Sequence, residues 1–307
     1  MLPRVSVICP LYNEQENIPT FLSKISAVFE SRGISYEIVC VNDGSTDNTL
    51  QLLIEKKAEY TSLRILNLSR NFGKEAALSA GLSAARGDAI IPIDADLQDP
   101  PEVIPKLIAE WEKGFDIVLA RRVDRSSDHA AKRLSASMFY KFHNLISKHQ
   151  IPDNVGDFRL ITRRVAAEIV KLPENQRFMK GLFSWVGFES TTIDYERAQR
   201  YAGKTTFNAW SLWNFALDGL TSFSTAPLRL WLYLGFILSL MAFLMGIYIV
   251  FVTLFYGIDV PGYASIVTVV LFFGGVQLFS IGVLGEYIGR IYLESKQRPS
   301  YIVENEY

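Results

Sequence analysis

From Leu230 to Ile258 the chain carries no charged residue, and from Val260 to Gly285 it again carries none; only Asp259 divides the two runs. A bilayer core about 30 Å thick is crossed by roughly 20 helical residues, so each run is long enough to span it. Two transmembrane helices are therefore expected. The link Gly257-Ile258-Asp259-Val260-Pro261-Gly262 reads as a short turn, which makes the pair an antiparallel hairpin. Arg229 precedes the first run, Arg290, Lys296 and Arg298 follow the second, and the turn holds neither Lys nor Arg. The excess of basic residues on the cytoplasmic side then places both ends, and residues 1–229 with them, in the cytoplasm. Arg4 leads into a short strand-like run instead of a long apolar core, so no signal peptide is expected.

The remainder is different in kind. At 49% hydrophobic and 21% charged, the chain fits neither a collagen-like nor a disordered class. A net charge of −1 gives no general attraction to nucleic acid. Cys9 and Cys40 each sit inside an apolar run, as inert core thiols in a reducing compartment would. Short β-branched runs occur at Val5–Cys9, Glu37–Val41, Leu63–Leu66, Ala89–Ile93 and Asp116–Leu119. Helical patterns separate them at about 15–31, 47–60, 73–86 and 101–113. This alternation predicts an α/β fold with a mainly parallel sheet covered on both faces. Ligands of such sheets bind beyond the carboxyl ends of the strands. Four polar clusters stand there: Pro10–Glu14, Asn42–Asp47, Ser69–Lys74 and Asp94–Asp99.

From Arg121 to His149 the balance turns basic: Arg121, Arg122, Arg125, Lys132, Arg133, Lys141 and Lys148 face only Asp124 and Asp128. Leu134, Met138, Phe142 and Leu145 recur at helical spacing, which gives a basic amphipathic helix, either solvated or lying against anionic head groups. A second amphipathic stretch, Phe207–Phe223, holds Trp210, Trp213 and Phe215 just before the first span, where aromatics suit a membrane–water interface or a core.

The sharpest chemical signal is Asp94-Ala95-Asp96-Leu97-Gln98-Asp99-Pro100. Two carboxylates one residue apart after an apolar strand can reach Mg²⁺ or Mn²⁺, which take oxygen ligands from one or two carboxylates together with substrate phosphates. Surface turns also carry that spacing, and the other clusters are what give it weight. Tyr12 and Glu14 offer a ring and a carboxylate, and Asp43 a carboxylate before a glycine turn; stacking on a base and accepting from its N–H groups are suitable tasks. Gly44-Ser45-Thr46-Asp47 also reads simply as a turn and helix N-cap. Neither a Gly-x-Gly-x-x-Gly after the first strand nor a Gly-x-x-x-x-Gly-Lys-Ser/Thr is present, which removes the usual phosphate cradles of dinucleotide oxidoreductases and P-loop NTPases.

Taken together, Val5–Glu14, Val41–Asp47, Ser69–Lys74 and Asp94–Pro100 resemble family 2 glycosyltransferases of the GT-A fold. Val155-Gly156-Asp157-Phe158-Arg159-Leu160, and Phe215–Leu230 followed by two spans, narrow the resemblance to polyprenyl-phosphate glycosyltransferases of the bactoprenol glucosyltransferase and dolichyl-phosphate mannose synthase type. The resemblance implies that Pro10, Tyr12, Glu14, Val41 and Asp43 hold the nucleoside, while Asp94, Ala95 and Asp96 lie along the diphosphate. Asp96 and Gln98, with Asp94 beside them, are implied as ligands of Mg²⁺ or Mn²⁺. Asp157 is implied as the catalytic carboxylate, which orients the acceptor or takes its proton, with Asp96 contributing to catalysis through the metal; beside Gly156, Asp157 also reads as a loop cap. Arg122, Arg133, Ser137 and Arg200 match positions that grip the acceptor phosphate. One departure stands out: in Arg200-Tyr201-Ala202-Gly203-Lys204-Thr205-Thr206 the lysine falls two places early, and Thr206 occupies its usual position.

The expected organisation is a nucleotide-sugar-binding core over 1–120, an acceptor-binding part over 121–229, two transmembrane helices over 230–289 and a cytoplasmic tail over 290–307. The expected activity is inverting transfer of a hexose, glucose from UDP-glucose, to undecaprenyl phosphate at the inner membrane, by a homo-oligomer that the resemblance implies to be a tetramer. GDP-mannose with dolichyl phosphate, or an aminoarabinose derivative, are alternatives within the class. A processive synthase would show a Gln-x-x-Arg-Trp motif, which is absent. A non-catalytic scaffold would have no use for Asp94, Asp96 and Asp157 together.

Overall fold

The computed structural model describes residues 3–123, 155–174, 177, 179–196, 226–256 and 262–307. They divide into two compact units, one formed by the chain up to Gly219 together with Arg298–Tyr307, the other by Leu220–Gln297.

The first unit is built on a sheet of strands β1 (Val5–Leu11), β2 (Tyr36–Asn42), β3 (Leu63–Leu68), β4 (Ala89–Pro92), β5 (Ile117–Arg122), β6 (Val155–Thr162), β7 (Ser190–Tyr195) and β8 (Val303–Glu306), ordered β7-β5-β6-β4-β1-β2-β3-β8. The five expected strands are all present, and β4-β1-β2-β3 are mutually parallel. Along β2, Ile38 and Cys40 point into one core with Phe21, Ile25 and Phe29 of α1 (Ile18–Glu30), while Val39 and Val41 point into the other with Ala77 and Ala80 of α3 (Lys74–Ala84). The period-2 alternation thus covers both faces. In α1 the buried Ile18, Phe21, Leu22, Ile25 and Phe29 repeat at helical spacing, and Pro19 fits its first turn, where no N–H is needed. Helix α3 is small-faced for a reason: a Cβ on Gly81 would come within 2.2 Å of Ile8 Cγ2, so glycine sets how closely the helix lies on β1. Cys9 and Cys40 are paired across the ladder, fully buried and unoxidised; burial and the neighbouring thiol push the Cys9 pKa up, consistent with inert core groups. Among the described residues, helices α2 (Thr49–Lys57), α4 (Ile104–Glu112), α5 (Arg163–Lys171) and α6 (Met179–Trp185) also belong to this unit.

Three strands extend the expectation. β6 runs antiparallel between β4 and β5, and β7 pairs parallel with β5. Residues 290–307, read from the sequence as a tail, do something else. The last helix continues to Ser295, and Val303–Glu306 then adds to the edge of β3 as an antiparallel strand. Arg64 holds it there by pairing with both Glu306 and the buried Glu37, and Asn67 Nδ2 donates to Glu304 Oε2 at 2.8 Å.

The second unit contains α7 (Ala226–Tyr256) and α8 (Tyr263–Ser295). Phe236, Leu254, Leu278 and Ile281 are among many large apolar side chains exposed on them, a surface that water does not favour. Among the described residues one segment, Phe272–Ser295, is both long and apolar enough to cross a membrane; Tyr233–Tyr248 in α7 is a shorter apolar stretch. Two helices where a hairpin was expected are therefore found, with the spanning criterion met by one. The basic stretch beyond Val123 and the aromatic stretch Phe207–Phe223 lie outside the described residues.

Candidate active site

The topology gathers the predicted clusters at one edge. Because β4-β1-β2-β3 are parallel, Pro10–Glu14, Asn42–Asp47, Ser69–Lys74 and Asp94–Asp99 all leave the sheet on the same side. Strand β6 is antiparallel to β4, so its beginning lies where β4 ends. From Ala89↔Thr162 and Ile90↔Ile161, each step along β4 is a step back along β6, so Asp94, just beyond β4, and Asp157, near the start of β6, lie at the same end of the pair.

The first three loops are laced together by hydrogen bonds to main chain. Asn13, in the left-handed region at φ 55°, accepts at Oδ1 from the N–H of Thr46 (2.8 Å) and donates its own N–H to Ser45 Oγ (3.0 Å). Asp43 is buried, and its carboxylate accepts from the N–H groups of Phe72 (2.7 Å) and Gly73 (2.9 Å), which fixes the start of α3. Gly44 has φ +61°, and a Cβ there would meet the Arg70 carbonyl carbon at 2.4 Å; only glycine allows the second loop to sit so close to the third. Tyr12, 44% exposed, presents its ring at the surface beside these loops. Glu14 is half-buried and accepts from Asn17 Nδ2, and Pro10 is half-buried at the end of β1. The Val41 and Ala95 side chains are buried in the core, so any contact these two make with a ligand is through the main chain.

The fourth loop turns sharply. Leu97 has φ 56°, a conformation costing a branched side chain on the order of 1–3 kcal/mol, and one that concentrates at functional sites. Asp96 is buried and accepts the Gln98 N–H at Oδ1 (3.1 Å). Asp94 is half-exposed and meets Lys74, whose Nζ lies 2.6 Å from Asp94 Oδ1 and 3.1 Å from Asp157 Oδ2. Burial pulls the Lys74 pKa down, but Asp94 and Asp157 outweigh it and hold the ammonium well above the ordinary lysine value. Beside them, Arg122 Nε donates to the Tyr195 hydroxyl (3.1 Å), and its Nη2 lies 3.6 Å from the buried Asp99, to which Tyr195 also donates. Desolvation works against the Arg122 charge and Asp99 more than restores it, while burial and then Asp99 push the Tyr195 pKa up, keeping its proton on. Arg159, buried over the Phe183 ring, donates to the Gly156 carbonyl (2.6 Å) and so fixes the main chain next to Asp157.

The carboxylates of this edge, with Lys74 and Arg122, lie within a sequence segment that matches a known family: residues 6–170 match glycosyl transferase family 2, and residues 226–291 match the GtrB C-terminal hairpin. The chain belongs to glycosyl transferase family 2. This glycosyltransferase is 52% identical to a bactoprenol glucosyl transferase of Shigella phage SfV over 99% of each chain. It is 50% identical to a prophage bactoprenol glucosyl transferase homolog of Escherichia coli over 98% of each chain. An uncharacterized glycosyltransferase of Synechocystis sp. is 50% identical over 99% of this chain and 96% of that one. A solved mannosyltransferase of Pyrobaculum calidifontis, in complex with GDP-Man and Mn2+, aligns over 68% of this chain and 60% of that one with a TM-score of 0.48 and 19% identity.

Of the residues singled out from the sequence, Pro10, Tyr12, Glu14, Asp43, Asp94, Asp96, Gln98, Arg122 and Asp157 share the strand-end edge of this family 2 enzyme. Arg133, Ser137, Arg200, Lys204 and Thr206 lie outside the described residues. Sequence reasoning passed over Lys74, Asp99 and Tyr195 as site residues. A signal for Lys74 existed: it is the first residue of α3, where the helix dipole disfavours a cation, so a compensating anion was to be looked for. Nothing in the sequence couples Tyr195 to Asp99: the β5–β7 pairing sets Tyr195 beside Arg122, and the loop after β4 brings Asp99 to both. Among the described residues no group of three acidic, His or Cys side chains forms a ready-made metal cage. The donor set at Asp94 and Asp96 is nonetheless hard oxygen at two positions one residue apart, which fits a Mg²⁺- or Mn²⁺-type ion completed by phosphate oxygens of a substrate.

Proposed function

We propose that this chain transfers glucose from UDP-glucose to a polyprenyl phosphate, undecaprenyl phosphate, with inversion at the anomeric carbon, at the cytoplasmic face of the inner membrane. The observation that carries the reading is the meeting of Asp94 and Asp157 around Lys74, beside Asp96, in a chain half identical over its whole length to bactoprenol glucosyl transferases. Tyr12 stacks on the base, with Asp43, Glu14, Pro10 and the Val41 main chain around the nucleoside. Asp94, Asp96 and Gln98 would hold a divalent ion, which when bound supplies Lewis-acid stabilisation of the departing diphosphate. The acceptor needs little activation, because a phosphate monoester loses its second proton near pH ~6 and is already the attacking anion. Asp157 therefore orients the acceptor more than it deprotonates it. Arg122 supplies a guanidinium fork for the lipid phosphate, together with Arg133, Ser137 and Arg200. Proximity and charge then account for most of the rate.

Both α7 and α8 cross the membrane in this reading, the first unit faces the cytoplasm, and the enzyme works as a homo-oligomer. Tethering has a direct purpose, since a long polyprenol does not diffuse through water. The test is transfer of radiolabelled sugar to undecaprenyl phosphate from a panel of donors, with and without chelator. Labelled lipid from UDP-glucose that disappears on chelation is expected. Equal transfer to water-soluble alcohols, or full turnover without divalent ions, would overturn the reading.

A further inference from the structure

Lys74 stands where a helix least favours a cation, at the first position of α3, against the partial positive charge of unpaired N–H groups. What compensates it is two carboxylates on two different strands, Asp94 beyond β4 and Asp157 at the start of β6, both within 3.1 Å of its Nζ. Those strands are antiparallel neighbours, so the two carboxylates come to the same end of the pair, where the ammonium lies within ion-pair distance of both. The ammonium is thus doing, within the chain itself, what a bound ion does elsewhere: it neutralises carboxylates that have been brought together.

We propose that Lys74 is a resident counter-cation, which occupies Asp94 and Asp157 in the donor-free protein and so couples divalent-ion binding to binding of the nucleotide diphosphate. The inference rests on the donor-site metal described above. In the absence of donor, a divalent ion at Asp94 and Asp96 must displace the ammonium or sit beside it, and either is opposed by charge. A diphosphate brings anionic oxygens that serve the ion and the ammonium alike, so both cations are accommodated together. By linkage, the factor by which the diphosphate tightens the ion is the factor by which the ion tightens the diphosphate. The site is then charged by a metal–nucleotide pair and is spared a tightly bound ion when no donor is present. Lys74 is in this sense a positioning residue, acting through Asp94 and Asp157.

The test is titration of the full-length protein in detergent with Mn²⁺, following free Mn²⁺ by electron paramagnetic resonance, with and without UDP. Wild type binds Mn²⁺ weakly alone and at least about tenfold more tightly with UDP. Lys74→Met binds Mn²⁺ alone about tenfold more tightly than wild type, and the gain from UDP shrinks correspondingly. Lys74→Arg, which keeps the charge, behaves as wild type. The inference is overturned if Lys74→Met binds Mn²⁺ alone no more tightly than wild type while still taking up UDP and Mn²⁺ together. It is overturned equally if Lys74→Met no longer binds the pair while Lys74→Arg does, because Lys74 is then a prop for the pocket. Should wild type fail to bind Mn²⁺ even with UDP, the metal reading of the site falls first and this inference with it.

Discussion

The strand-end edge is held in two different ways. On the side of β1, β2 and β3 the loops are joined by hydrogen bonds to main chain: Asn13 to Thr46, Ser45 to Asn13, Asp43 to Phe72 and Gly73. On the side of β4, β5 and β6 they are joined by side-chain charges: Lys74 with Asp94 and Asp157, Arg122 with Asp99. Hydrogen bonds to main-chain N–H groups fix a backbone and have no second partner to turn to. Ion pairs between flexible side chains do, since an ammonium or guanidinium that holds a carboxylate can also meet a phosphate. In the proposed reading the first region is a mould for a rigid nucleoside, and the second rearranges around charges that arrive and leave.

The contrast can be broken from the charged side first. Asp157→Asn should lower the transfer rate by about 10²-fold, as loss of an orienting group does, while leaving UDP binding close to wild type, measured by labelled-lipid formation alongside calorimetry. If donor binding falls as steeply as rate, Asp157 belongs to the mould and the division is drawn in the wrong place. Next, Asp43→Ala unhooks Phe72 and Gly73 from a buried carboxylate. Hydrogen bonds to a charged group contribute about 1.5–3 kcal/mol, so thermal unfolding should move down measurably and the KM for the donor should rise. Arg122→Gln should raise the KM for polyprenyl phosphate about tenfold with a smaller effect on the donor KM, read by varying each substrate in turn. At the small end, Arg121→Ala removes a pair with Asp194 that is half exposed on both sides, and the unfolding midpoint should stay within error of wild type. A clear shift there would mean that exposed charge on β5 matters as much as the pairs at the edge.

How much of this was legible in the sequence follows the same line. β1 to β4 are short apolar runs between helical patterns, and periodicity with turn chemistry locates them, together with the loops at their ends. β7 alternates exposed and sheltered side chains along Ser190–Tyr195 and could have been read by the same rule. β8 could not, because all four of its residues are exposed and three are polar or acidic, and its partner lies over two hundred residues earlier in the chain. Asp94 is marked by its spacing and Asp157 through resemblance, but their meeting depends on the β4–β6 pairing, which no local pattern encodes. Lys74 belongs to a polar cluster in the sequence, but its contact with both Asp94 and Asp157 exists only in the folded chain.

The strand that closes the β3 edge lies downstream of both apolar helices in the chain. Synthesis therefore delivers it only after both helices have been made. Until then β3 presents an open row of N–H and C=O groups, the kind of template on which nascent chains stick to one another. The sheet of the first unit is thus completed only after the second unit has been synthesised, and a chain that stalls within the helices keeps one sticky border.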